Sequence, residues 1–456
     1  MKRKAIDYLK NWLISNDRKP LILRGARQVG KTWLVREFAK EINKQIIEVN
    51  FEDRLAPLSL FNSNDPNEIL LNLSSHFNTA INPDNSLLFL DEIQAAPEMI
   101  AKLRWFYEKL PTLPVISAGS LLEFLLADHS FSMPVGRISY MYLEPLSFEE
   151  FLLAKNQDIL MNYVFKYNLN TEIPLAIHEK LMGFFKEYLI VGGLPAVVKS
   201  WVNEQSLMRV QQIQNDLLTS YRDDFSKYKN REEIARMDEV MAAIPKMLGQ
   251  KFVYSRVNPD VPSIIFKKVL FVLNSARICH RILNTSANGI PLAAEIKEKF
   301  FKEIYLDVGL CSINMGLGLT QIRDISDITL INHGGISEQV VGQMLRTITP
   351  FYIEPSLYYW AREEKGSNAE IDFIIQFGNK VIPLEVKSGS TGSLKSLHVF
   401  MELKKYSTAV RVNSDVPSQV DVNLNSTTGN RVAYKLISIP FYLLGQLNRL
   451  LEQAIE

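Results

Sequence analysis

The stretch Gly25-Ala26-Arg27-Gln28-Val29-Gly30-Lys31-Thr32 constrains the fold of this chain more than any other. The apolar residues 20–24 before it read as a strand, and residues 32–43 after it have helical spacing. A glycine-bearing turn between strand and helix lets backbone N–H groups close around phosphate oxygens. The helix N-terminus adds the positive end of its dipole. In that setting Lys31 reaches the β- and γ-phosphates, and the Thr32 hydroxyl binds Mg²⁺. The pattern predicts a phosphate-binding loop, with residues 25–32 as the contacts to ATP.

Residues 45–51, 86–90, 114–117 and 140–143 are further short apolar or β-branched runs separated by helical stretches. Continuous apolar strands of this kind predict a parallel sheet covered on both faces. The run Leu87-Leu88-Phe89-Leu90 ends in Asp91-Glu92. Asp91 is placed to hold Mg²⁺, and Glu92 to orient or deprotonate an attacking water. A water-activating Glu beside the metal Asp favours an ATPase over a small-molecule kinase, which must exclude water. No Asn-Lys-x-Asp motif supports guanine binding. The next strand ends in Gly119-Ser120, where Ser120, or Ser117 instead, can touch the γ-phosphate or the water. Ser120 reads equally as a helix cap before residues 121–126. Arg137 is either an arginine finger, in cis or in trans, or half of a surface ion pair.

At 456 residues the length suggests about three domains. With 47% hydrophobic and 22% charged residues the chain is not intrinsically disordered. Two cysteines, Cys279 and Cys311, exclude a disulfide framework and a cysteine-rich zinc site. No apolar run approaches the ~20 residues of a membrane span. The start, Met1-Lys2-Arg3-Lys4, mimics a secretion signal but is interrupted by Asp7, Lys10 and Asn11. Residues 5–15 read instead as an amphipathic helix with Ile6, Leu9, Trp12 and Leu13 on one face, and a cytoplasmic location is expected. A net charge of +1 argues neither for nor against a DNA partner.

Residues 148–250 read as mostly helical, broken at Gly192-Gly193-Leu194-Pro195. Residues 235–290 hold two short helical stretches and then a strand at 277–283, an order that fits a winged-helix unit. Lys246, Lys251, Arg256, Lys267, Lys268, Arg277 and Arg281 have few acidic neighbours in sequence and suggest a basic stripe able to bind phosphate. His280 reads as part of a DNA-contacting wing or of a solvated strand edge. None of the six histidines has metal-ligand spacing.

A further α/β unit begins near Gly335, with a helix at 337–347, strands at 371–377 and 380–387, and a Ser/Gly loop at 388–393. Residues 413–430 are polar and turn-rich and suggest a long exposed loop. Gly378-Asn379 between β-rich runs predicts a two-residue hairpin with glycine first in the turn. That register sets Phe377 opposite Lys380, Asp372 opposite Glu385, and Glu370 opposite Lys387. Like charges directly opposite destabilise a sheet. A metal ion between Asp372 and Glu385 removes that penalty, with Lys387 beside it to stabilise a phosphate charge.

These segments resemble a known family. The loop sequence, Leu90-Asp91-Glu92-Ile93-Gln94, Ser117-Ala118-Gly119-Ser120-Leu121-Leu122, Val135-Gly136-Arg137, Glu144-Pro145-Leu146-Ser147-Phe148-Glu149-Glu150-Phe151 and residues 192–196 look like AAA-type predicted prokaryotic ATPases of the additional-strand, catalytic-Glu branch. The resemblance implies Mg²⁺-dependent ATP binding and hydrolysis, and a C-terminal domain of unknown function with a restriction-endonuclease-like ending. Asp372 followed by Glu385-Val386-Lys387 is similar to the Asp…Glu-x-Lys signature of such nucleases. Glu338 matches the helix Glu of the Holliday-junction resolvases of that fold, as a further metal ligand. AAA-type cores often form rings, so the resemblance leaves a homo-oligomer open. The expected fold is α/β: a P-loop core at 1–147 with a parallel sheet, a helical lid at 148–215, a winged-helix-like domain at 216–330, and a restriction-endonuclease-like domain at 331–456. The expected function is an ATPase coupled to DNA binding or processing. The alternative is a nucleotide-gated regulator whose C-terminal domain binds nucleic acid without cutting it.

Overall fold

The computed structural model describes residues 1–53, 58–119, 133–226, 231–316, 334–364, 367–387, 394–425 and 430–455. Helix α1 (Ala5–Leu13) buries Ala5, Ile6, Leu9 and Trp12, as its spacing predicts. Strands β1 (Leu21–Arg24), β2 (Gln45–Asn50), β3 (Ser86–Asp91), β4 (Val115–Ala118) and β5 (Ser139–Tyr142) form a five-stranded sheet in the order β2-β3-β4-β1-β5. Every pairing is parallel. Helices α2 (Lys31–Glu41), α3 (Pro66–Phe77) and α4 (Glu98–Lys109) belong to the same layered unit. Leu21 and Leu23 join one apolar cluster and Ile22 the other, because successive strand residues point to opposite faces. That double burial is why these strands read as unbroken apolar runs. Strand β4 lies between β1 and β3, so the end of β4 stands beside both the phosphate-type loop and Asp91.

Helices α5 (Phe148–Ala154), α6 (Asp158–Lys166), α7 (Leu175–Val191), α8 (Pro195–Glu204), α9 (Leu207–Ser226) and α10 (Arg231–Ala243) follow. Then come α11 (Ser263–Ser275), β6 (Cys279–Thr285), β7 (Ile296–Tyr305), α12 (Val308–Asn314) and α13 (Gly335–Thr347). The chain ends with β8 (Leu357–Glu364), β9 (Ser367–Phe377), β10 (Lys380–Val386), α14 (Lys395–Lys404), β11 (Thr408–Asn413), β12 (Ser418–Asn425), β13 (Arg431–Pro440) and α15 (Leu447–Ile455). The second sheet has eight strands in the order β12-β13-β11-β10-β9-β8-β6-β7 and mixes parallel and antiparallel pairs.

Two expectations change here. The strand expected at 277–283 in a winged-helix unit is β6, which pairs in parallel with β8 and antiparallel with β7 and so joins the second sheet. The expected boundary at 330/331 therefore falls between strands of one sheet. The expected loop at 413–430 contains β12, which pairs antiparallel with β13 over residues 418–425. Strand β12 is an edge strand with most of its residues exposed; Val420, Val422 and Leu424 alternate with polar residues along it, but the Ser, Asp and Asn around them read as turn residues. The Ser/Gly loop at 388–393 lies outside the described residues.

Candidate functional sites

The loop between β1 and α2 is shaped by glycine at both ends. Gly30, at φ +94°, caps α2, and a Cβ on Gly25 would lie 2.4 Å from the Leu143 carbonyl oxygen. Between them Gln28 also has a positive φ of 65°, while Ala26 and Val29 are buried. The Lys31 ammonium is held inside the loop and donates to the carbonyls of Gly25 and Ala26 at 2.9 and 2.8 Å. The Thr32 hydroxyl donates to Asp91 Oδ2 at 2.9 Å. Asp91 is buried at the end of β3. Burial pushes its carboxyl above the ordinary range, the Thr32 hydrogen bond pulls it back, and the Glu92 charge adds to the rise. A hydroxyl and a buried carboxylate at this separation are a donor set that suits Mg²⁺, which takes one or two protein oxygens and completes its shell with water and phosphate.

Glu92 sits at φ +52°, and its N–H donates to Asp91 Oδ1 at 3.1 Å. The Gln94 amide donates to the Glu92 carboxylate. Gln94 Oε1 accepts no hydrogen bond among the described residues and lies against Gly119, where a Cβ would come within 2.5 Å of it. Gln94 was given no role by the sequence; its signal is its place two residues beyond Glu92, on the turn after β3. Ser117 is buried within β4 with its hydroxyl 3.5 Å from the Leu21 carbonyl, an interior position. Ser120 lies outside the described residues. Arg137 pairs with Glu108 at 3.2 Å on the surface. Arg27 pairs with Asp224 of α9, and the Tyr221 hydroxyl donates to the Arg27 carbonyl at 3.1 Å.

The two motifs downstream of β5 are joints. A Cβ on Gly193 would lie 2.2 Å from the Leu146 carbonyl oxygen, so only glycine allows this approach. The Gly193 N–H donates to Asp307 Oδ2 at 2.6 Å, and Pro195 packs against Gly30. Asp307 also caps α12 and accepts from Gln343 of α13 at 3.2 Å. Burial lifts its carboxyl to about 6. Ser147 and Glu150 form a capping box on α5. Glu150 also pairs with Arg3 at 3.2 Å, and Glu149 pairs with Lys4. Glu144 accepts from Arg277 at 3.2 Å and Arg346 at 2.8 Å.

The hairpin of the second site holds the predicted register from Lys380↔Phe377 to Leu384↔Phe373. Of its two turn residues Gly378, at φ +56°, carries the positive angle. One step further on, Asp372 Oδ2 accepts from the Val386 N–H at 2.7 Å. Lys387 Nζ donates to Glu385 Oε1 at 2.6 Å, and Glu385 Oε2 is buried and accepts no hydrogen bond among the described residues. Burial and the Glu338 and Glu385 charges push the Asp372 carboxyl well above its ordinary value. The Glu370 and Glu338 carboxylates both pair with Lys302, at 2.5 and 2.9 Å, and the Glu338 charge also acts on Asp372 and Glu385. Among the described residues no three His, Cys, Asp or Glu side chains gather closely enough to hold a metal ion. Asp372 with Glu385 Oε2 still offers a two-carboxylate donor set of the kind Mg²⁺ accepts.

The expected basic stripe is divided. Arg277 is buried against Glu144 and Glu354, Arg281 pairs with Glu303, and Arg256 donates to Gln250. His280 is buried, 4.0 Å from Glu144, and not on a solvated edge. Lys246, Lys267 and Lys268 remain exposed.

A sequence profile for an AAA domain matches residues 17–152. Profiles for two domains of unknown function, DUF8612 and DUF4143, match residues 182–321 and 333–434. The chain is therefore an α/β protein with an AAA domain on a parallel-sheet P-loop core and a second, mixed-sheet unit. Solved structures with a similar arrangement include the Walker-type ATPase PABY2304 of Pyrococcus abyssi, 15% identical, covering 69% of this chain and 95% of that one at a TM-score of 0.43. AMPPCP-bound DnaA from Aquifex aeolicus is 13% identical, covering 60% of this chain and 87% of that one at 0.28. The Pif1 helicase from Candida albicans is 14% identical, covering 40% and 47% at 0.23. TM-scores this low carry no argument about activity. No curated protein matches the sequence. No helix among the described residues is long and apolar enough to cross a membrane.

Proposed function

We propose that the chain is a Mg²⁺-dependent ATPase. The observation that carries this reading is the 2.9 Å contact between Thr32 and Asp91, on the loop that holds Lys31. Backbone N–H groups of residues 25–32 and the Lys31 ammonium would hold the β- and γ-phosphates. Bound Mg²⁺, on Thr32 and Asp91, supplies charge neutralisation across those phosphates. Glu92 takes a proton from a water whose oxygen bonds to the γ-phosphorus. The bond to the β–γ bridging oxygen breaks, leaving ADP and inorganic phosphate. Ser120 is kept as a candidate γ-phosphate contact. Arg137 is a candidate only toward a neighbouring copy of the chain, since it is spent on Glu108 within its own. Lys31→Ala tests the site: nucleotide affinity should be lost, and an unchanged Kd would refute the assignment.

We infer further that the ATPase half, 1–215, acts on DNA through the remainder of the chain. Helix α13 supports this, because Glu338, Gln343 and Arg346 on one helix reach the second site, Asp307 and Glu144. ATPase rates measured with a panel of DNA forms test it; no binding and no stimulation by any form would remove it. In this reading Asp372, Glu385 and Lys387 make a metal-dependent phosphodiesterase centre. The second reading is a nucleotide-gated regulator that binds nucleic acid without cutting it. It is favoured by the capture of Glu338 by Lys302. Mg²⁺- or Mn²⁺-dependent cleavage of branched and linear DNA decides: equal behaviour of the wild type and Asp372→Ala favours the regulator.

A further inference from the structure

Lys302 is contributed by β7, an edge strand that lies far before the hairpin in sequence. Its side chain is 0% exposed. The ammonium sits 2.9 Å from Glu338 Oε2 on α13 and 2.5 Å from Glu370 Oε1 on β9, with the Tyr359 ring 5.3 Å away. Glu338 is held from a second side: Gly249, at φ +71°, passes so close that a Cβ there would lie 2.6 Å from Glu338 Oε1. The remaining carboxylates are disposed differently. Asp372 takes the Val386 N–H, and Glu385 keeps one buried oxygen with no hydrogen-bond donor among the described residues.

Charge makes the same division. The cluster holds the four carboxylates of Glu338, Glu370, Asp372 and Glu385 against the ammoniums of Lys302 and Lys387. Fully ionised, these six groups carry two more negative charges than positive, which one divalent cation bound to Asp372 and Glu385 would neutralise and two would overshoot. An uncompensated charge of either sign is costly at a buried site.

We propose that Lys302 is the built-in cation of this centre: it claims Glu338 and Glu370, leaves Asp372 and Glu385 to a single divalent ion, and closes the centre to a second. The proposal rests on reading Asp372 and Glu385 as a metal centre. It makes Lys302 a positioning residue, and it takes Glu338 out of the ligand set.

Mn²⁺ titration of the full chain without nucleotide, by calorimetry and by loss of the free-ion electron paramagnetic resonance signal, tests both layers. The wild type should bind one Mn²⁺ that Asp372→Asn weakens at least tenfold. If it binds no such ion, the metal-centre reading fails and this inference with it. Lys302→Met should bind one Mn²⁺ more than the wild type, and Lys302→Met/Glu338→Gln should lose that extra ion. Equal counts in the wild type and Lys302→Met overturn the inference while leaving the metal centre standing. Should Lys302→Met fail to fold, Glu338→Gln decides, since glutamine still accepts from Lys302. A shift in Mn²⁺ affinity under threefold supports the assignment. A tenfold loss, the size expected for a true ligand or its close support, overturns it.

Discussion

Arg346 of α13 donates two hydrogen bonds to Glu144, at 2.8 and 3.1 Å, across the joint between the end of the first sheet and the second unit. Arg277, two residues before β6, donates to the same carboxylate, and Arg3 donates to the Glu144 carbonyl. Glu144 therefore ties the N-terminal arm through its carbonyl, and the β6–β7 hairpin and α13 through its carboxylate, to the AAA domain. Its neighbours Glu149 and Glu150 extend the joint to Lys4, Arg3 and Gln446. The acidic motif after β5 is thus a connector, and Leu146, which meets Gly193, lies inside it.

Replacing Glu144 with Ala should lower stability by about 3–5 kcal/mol, because it leaves two buried guanidiniums short of their anion. Chemical denaturation followed by circular dichroism measures this. The pH sign follows from the depressed carboxyl of Glu144, which burial opposes and Arg346 and Arg277 bring about. Its contribution is fully present above the unfolded carboxylate value, near pH 4.5, and is lost as pH falls through the lower folded value. The gap between the wild type and Glu144→Ala should therefore be widest near neutrality and close in acid.

Gly193→Ala should cost about 1–3 kcal/mol, because the added methyl meets the Leu146 backbone and not a yielding side chain. The strain also bears on Pro195 and hence on Gly30 at the start of α2. ATP affinity should fall together with the melting temperature. An alanine variant that melts and binds ATP like the wild type would separate this joint from the loop.

What the sequence made legible was local. The loop at 25–32, the buried parallel strands and the Gly378 hairpin register each follow from residues close together in the chain. What it hid was long-range pairing. Arg277 and Arg281 look like an exposed basic stripe because their anions, Glu144 and Glu303, come from elsewhere. Nothing in the spacing shows Lys302 arriving from β7 to pair with Glu338. Strand β12 looks like a loop because Ser418, Asp421, Asn423 and Asn425 read as turn residues and outweigh the short alternation of Val420, Val422 and Leu424.

Glu303 gives a pH signature of opposite sign to that of Glu144. Burial lifts its carboxyl to about 7, against the lowering effects of Arg281 and Asn274. A folded value above the unfolded one means that the folded state holds the proton more tightly. Stability then falls as pH rises from about 4.5 to about 7 and levels off beyond, by up to about 3 kcal/mol. Glu303→Gln removes that dependence. Melting curves at pH 5 and pH 8 should show the variant gaining on the wild type as pH rises; parallel curves would refute the assignment.

The last prediction concerns Gln94, whose amide donates to the Glu92 carboxylate while its own oxygen rests against Gly119. Glu92→Gln should leave ATP binding intact and slow hydrolysis by roughly 10²–10⁴-fold, the usual contribution of a positioned general base. Gln94 does not need to touch the nucleotide to matter, because its amide holds the carboxylate proposed as the base. Gln94→Ala should keep the KM for ATP within about twofold and lower kcat by about tenfold, as expected for an orientation effect. Steady-state kinetics on both variants separate the roles. A Gln94→Ala variant with wild-type kcat would mean that Glu92 is held by its αL backbone alone, and a raised KM would place Gln94 on the nucleotide itself.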